Sequence, residues 1–125
     1  MFTCSKERMQ DKISTFSTFG DAGHGGITRY SLSPEALQAR AEFVKRMTAI
    51  GAEIKTDDVA NVYATLKGSD PTLPAIVMAS HCDSVKNGGN YDGINGITFF
   101  PQEPPYLLSI TIYRKIKLYR LQRHL

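Results

Sequence analysis

The sequence predicts an α/β fold, a helix followed by three strands of one sheet. Three observations lead there. Residues 34–50 carry a capped, one-sided apolar pattern. Short apolar runs follow at 53–56, 61–66 and 74–80. A glycine-rich loop holding one histidine and two aspartates comes directly after the last run, and the ends of α/β strands are where such folds hold their ligands.

The elements follow in chain order. Residues 1–19 have mixed polarity, with Met9, Ile13 and Phe16 at near-helical spacing, so a short helix is expected. Residues 20–26 form a glycine-rich loop with His24 in solvent. The loop lacks the terminal Gly-Lys-Ser/Thr of a phosphate loop and follows no clear strand, which excludes that reading. Ser33 is a good N-cap, Pro34 suits the first helical position and Glu35 the first turn. Leu37, Ala41, Val44 and Met47 then make one apolar stripe, broadened by Phe43 and Ile50, and Gly51 is a natural stop.

Residues 53–56 read as a short strand. Val62, Ala64 and Leu66 alternate, which predicts a half-exposed strand over 61–66. Residues 67–71 are a turn. Residues 74–80 are short, apolar and β-branched, which predicts a buried strand.

The chemistry sits in Ser80-His81-Cys82-Asp83-Ser84-Val85, followed by Asn87-Gly88-Gly89 and Tyr91-Asp92-Gly93. Alternation puts His81 and Asp83 on one side and turns Cys82 to the other. That favours Cys82 as a packed thiol. Imidazole and carboxylate suit a borderline metal ion, and a ligating histidine normally has a carboxylate on its other nitrogen. Gly88, Gly89 and Gly93 let the chain turn so that Asp92 returns toward His81.

These segments resemble the first metal-binding segment of the N-carbamoyl-L-amino-acid hydrolases, allantoate amidohydrolases and β-ureidopropionases. These form one branch of the two-metal aminoacylase and carboxypeptidase superfamily. Gly25-Gly26-Ile27-Thr28-Arg29, Leu32-Ser33-Pro34-Glu35, and Asp58 with Asn61 are similar to further family segments, in the same order. Ala60 stands where the family usually has glycine. The resemblance runs from about residue 19 to about residue 98.

It implies the N-terminal portion of a zinc-aminopeptidase-like α/β sandwich. It also implies a metal-dependent hydrolase of non-peptide C–N bonds, acting on a small ureido or amide substrate. By resemblance His81 ligates one ion, Asp92 bridges two, and Asp83 is the catalytic-site carboxylate that tunes His81. The ions would be zinc, manganese, cobalt or nickel, two per full site. Thr28 and Arg29 either approach the active site in the full fold or anchor their loop.

After Gly93-Ile94-Asn95-Gly96-Ile97 the family continues into a long helix. Here Phe99-Phe100-Pro101-Gln102-Glu103-Pro104-Pro105 follows, which cannot be a helix interior. The expected organisation is therefore 1–98 as part of a catalytic domain and 99–125 as a divergent basic tail, not native to that fold. Residues 106–113 of the tail are β-prone, and 114–125 read as either helix or strand. The tail also carries the positive charge of the chain. Residues 1–100 have ten Lys/Arg against eleven Asp/Glu, whereas 101–125 have five Lys/Arg against Glu103 alone.

Three functional readings follow. One is the amidohydrolase. The second is a truncated, catalytically inactive product whose missing ligands and general-base glutamate leave it binding metal weakly. The third is a small basic interaction module. A single basic stretch is a poor nucleic-acid footprint, so no nucleic-acid partner is expected. No apolar run reaches the ~20 residues that span a bilayer, and residues 1–12 lack a signal-type apolar region. Cys4 and Cys82 have no framework spacing. A cytoplasmic location without a membrane partner is the expectation, and the oligomeric state is open.

Overall fold

A computed structural model describes residues 5–68, 70, 72 and 74–98, and the backbone of 108–112. The elements are α1 (Lys6–Ser17), α2 (Pro34–Ala49), β1 (Glu53–Thr56), β2 (Val62–Thr65), β3 (Ile76–Ser80), α3 (Ile94–Thr98) and β4 (Leu108–Ile112). The helix and three strands read from the sequence are all present. No helix among the described residues is long and apolar enough to cross a membrane.

Local chemistry sets the start and end of α2. Ser33 is extended, and its hydroxyl accepts the Ala36 N–H at 3.2 Å. Gly51 ends the helix region with φ +85°, a conformation glycine adopts without strain. Ser33→Ala is expected to cost about 1 kcal/mol. The check is a lower urea midpoint at unchanged m-value.

β1 and β2 pair antiparallel, with Ile54 opposite Ala64. Their turn is organised by Asp57, whose carboxylate accepts the N–H groups of Val59 and Asn61 at 3.1 and 2.8 Å. It also accepts the Asn61 side-chain amide and the Tyr63 hydroxyl. The carboxylate that holds Asn61 is thus that of Asp57, while Asp58 is exposed. Ala60 has φ +67°, which explains why glycine suits this position. Ala60→Gly is expected to stabilise the chain by about 0.5–1 kcal/mol, the relieved strain outweighing glycine's extra unfolded freedom. A raised urea midpoint is the measurement.

The sheet order is β1-β2-β4-β3. β4 pairs antiparallel with β2 and parallel with β3. It comes from the β-prone part of the segment set apart as a tail, so this stretch lies inside the sheet. The remainder of 99–125, including its basic end, lies outside the described residues. The helices cover one sheet face, where Phe16, Phe43, Met47, Val62, Ala64 and Ile97 form the core.

One expectation is overturned here. The 74–80 run was expected to be buried, yet Ile76 is 62 % and Val77 58 % exposed. β3 lies at the sheet edge, with β4 on one side and no strand on the other among the described residues. Within β3, Met78 alone packs on the core. An apolar run reports what a strand can bury against; its neighbours decide whether it does.

Candidate metal centre

His81 directly follows β3, at the carboxyl ends of the parallel pair β3 and β4. The return loop reaches it through two devices. The Ser80 hydroxyl donates to the Gly93 carbonyl at 2.7 Å. Gly93 has φ +69° and lies directly against the His81 carbonyl and ring. Any side chain there would occupy the space of the imidazole.

His81, Asp83 and Asp92 therefore meet. His81 Nδ1 lies 3.2 Å from Asp83 Oδ1 and 3.1 Å from the Asp83 carbonyl oxygen. Both oxygens only accept, so Nδ1 carries the proton in this network. In the neutral ring, Nε2 then presents a lone pair. It faces Asp92 Oδ1 at 3.7 Å, beyond hydrogen-bond reach. The His81 and Asp83 side chains are 24 % and 28 % exposed, and that of Asp92 is 81 % exposed. The site is a rim open to solvent.

The donor set fits a borderline divalent ion. Two ligand atoms about 2.0–2.2 Å from one ion lie within about 4.4 Å of each other, and 3.7 Å falls inside that span. The set is also short. No group of three or more His, Cys, Asp or Glu arranged to hold a metal occurs among the described residues. Asp83 engages the far nitrogen of the ring, which leaves His81 Nε2 and the Asp92 carboxylate as the two groups that could face an ion.

Cys82 packs against the core, and burial pushes its thiol up, with Arg29 pulling the other way. That agrees with the packed-thiol reading. His24 is exposed in its loop. Thr28 anchors, its hydroxyl accepting the Asn87 N–H at 3.0 Å. Asn90, in the return loop, carries a buried side-chain oxygen with no donor among the described residues.

Sequence reasoning left Arg29 outside the site. The structure buries it to 1 % exposure beside the ligand segment. Its backbone N–H donates to the Ser84 hydroxyl, and its carbonyl accepts the Ser84 N–H, at 2.9 and 2.8 Å. Burial pulls its guanidinium below the usual value, opposed by Cys82 and Asp83. A lone arginine in the otherwise uncharged stretch from 25 to 34 was the available signal.

Fold and site together define part of an α/β fold with a candidate metal centre at the strand ends. The chain is 39 % identical over 93 residues to allantoate amidohydrolase of Escherichia coli (strain K12), covering 74 % of this chain and 23 % of that protein. It is 38 % identical over 91 residues to N-carbamoyl-L-amino-acid amidohydrolase of Paenarthrobacter aurescens, covering 73 % of this chain and 22 % of that one. A solved hydantoinase/carbamoylase family amidase from Burkholderia phymatum is 33 % identical, with TM-score 0.68, covering 77 % of this chain and 23 % of that structure. No protein-family model matches the chain. Over the matched stretch the chain is similar to the N-terminal part of the allantoate and N-carbamoyl-L-amino-acid amidohydrolases. It spans less than a quarter of the length of these two relatives.

Proposed function

We propose that residues 81–92 are one half of a metal site for hydrolysis of a non-peptide C–N bond in a linear ureido or amide compound. His81 and Asp92 are the ligands and Asp83 orients the imidazole. One observation carries the reading: His81 Nε2, a lone-pair donor in a neutral ring whose Nδ1 lies 3.2 Å from Asp83 Oδ1, faces the Asp92 carboxylate at 3.7 Å. Two electron-rich groups so placed repel unless a cation lies between them. A divalent ion there supplies Lewis acidity toward the scissile carbonyl. Asp83 fixes the tautomer and raises the basicity of His81. Asp92 keeps a second carboxylate oxygen for a second ion.

The substrate class rests on likeness to the relatives, so allantoate and N-carbamoyl amino acids are the compounds to test. Among the described residues no glutamate bonds to or pairs with His81, Asp83 or Asp92, so none is placed to serve as general base. Absence of a positioned base alone costs about 10²–10⁴ in rate. The 125 residues by themselves therefore bind metal weakly and do not turn over.

A second reading has its own support. Doubly protonated, His81 would make a charge cluster with Asp83 and Asp92 and need no metal. Calorimetric titration with zinc, manganese and cobalt separates the two. The expected result is saturable binding by the chain and none by His81→Ala, with no ammonia released from allantoate or N-carbamoyl amino acids. Equal binding by both proteins would sink the site. Metal-dependent turnover approaching that of a full-length allantoate amidohydrolase would sink the half-site reading.

A further inference from the structure

We infer that Arg29 is a positioning residue that holds the His81–Asp83 segment in register with the end of α1; as a role in metal binding, this rests on the reading above. Its Nε donates to the Cys82 carbonyl at 2.5 Å, the peptide oxygen between His81 and Asp83. Its Nη1 donates to the Phe16 and Phe19 carbonyls, both at 2.7 Å. Phe16 belongs to the last turn of α1, where carbonyls lack helical partners and the helix dipole is negative. One rigid fork thus ties the end of a helix to the peptide that sets the spacing of His81 and Asp83.

The main chain of Arg29 works in the same direction. Ser84 bonds it on both sides, and the Ser84 hydroxyl also donates to the Ile27 carbonyl at 3.0 Å. Ile27 and Gly88 exchange N–H donors at 2.9 and 2.8 Å. The ligand segment is therefore pinned along 27–29 before any metal arrives. A buried cation satisfied mainly by carbonyls is expensive, because Asp83 offsets its desolvation only in part. An apolar residue would fill the space but remove the donors that the guanidinium gives to the Cys82, Phe16 and Phe19 carbonyls. The geometry assigns the fork to orientation, since lysine, with its tetrahedral donors, cannot reproduce the planar reach to all three.

The test uses Arg29→Lys and Arg29→Ala in the full 125-residue chain. Amide hydrogen exchange is measured without metal, and manganese affinity separately. The expected result for Arg29→Lys is at least about tenfold faster exchange at Ser84 and Gly88, with Phe43, Met47 and Ala64 nearly unchanged. Manganese affinity is expected to fall about 10–100-fold. In Arg29→Ala, about 20 mM guanidinium, far below denaturing levels, is expected to restore slow exchange at Ser84. Uniform loss of protection, or failure of both variants to fold, would overturn the inference by making Arg29 a residue of general stability. Unchanged exchange at Ser84 would overturn it as well. If the unaltered chain binds no manganese while exchange at Ser84 responds as stated, the metal reading fails and the anchoring role stands.

Discussion

Gly93→Ala is expected to take the candidate centre apart. The added Cβ meets the His81 carbonyl oxygen, and lies 2.7 Å from the ring atoms Cε1 and Nδ1. Neither neighbour can give way easily. The carbonyl is backbone, and the ring is held by Asp83 at 3.2 Å. The residue would also keep φ +69°, which an L side chain tolerates poorly. Backbone strain and overpacking together cost about 2–5 kcal/mol. Urea denaturation should show that loss, and calorimetry should show no metal binding under conditions where the unaltered chain binds. A Gly93→Ala protein with unchanged midpoint and affinity would mean that the return loop does not lie against His81.

Phe43→Ala is expected to have a comparable effect by a different route. Phe43 is fully buried near the middle of α2, packed among Phe16, Met47, Val62 and Ala64. Truncation removes the largest side chain of that helix from the core and leaves a cavity, at about 3–5 kcal/mol. Domain stabilities are themselves about 5–15 kcal/mol. The variant should therefore have a sharply lowered urea midpoint, or be substantially unfolded in buffer by circular dichroism. Little change in midpoint would contradict α2 as the lid of this core.

Much of the fold and site was legible because it rests on short-range chemistry. Ser33, Pro34 and Gly51 mark α2 within about one residue of its observed ends. Val62 and Ala64 alternate in the sequence and are buried in β2. His81, Asp83, Asp92 and Gly93 lie within 13 positions of one another, and Gly93 itself signals the tight return.

What escaped the sequence was non-local. Whether Ile76 and Val77 are covered depends on what flanks β3, and the strand order is not written in an apolar run. Residues 106–113 showed β propensity without saying which strands 108–112 would join. Arg29 finds its partner 53 positions away, so its role emerges only when two loops are seen together. Asp57 and Asp58 are equivalent by composition; the φ of Ala60 and the turn it closes select the first.

The most direct test of the account is a manganese titration followed by nuclear magnetic resonance. Substoichiometric paramagnetic ion broadens the signals of residues beside its site. The account predicts broadening centred on His81, Asp83 and Asp92 and on the adjoining Gly93 amide, abolished in His81→Ala. Broadening spread over exposed carboxylates such as Glu7 and Glu53, or centred on His24, with His81 unaffected, would contradict it.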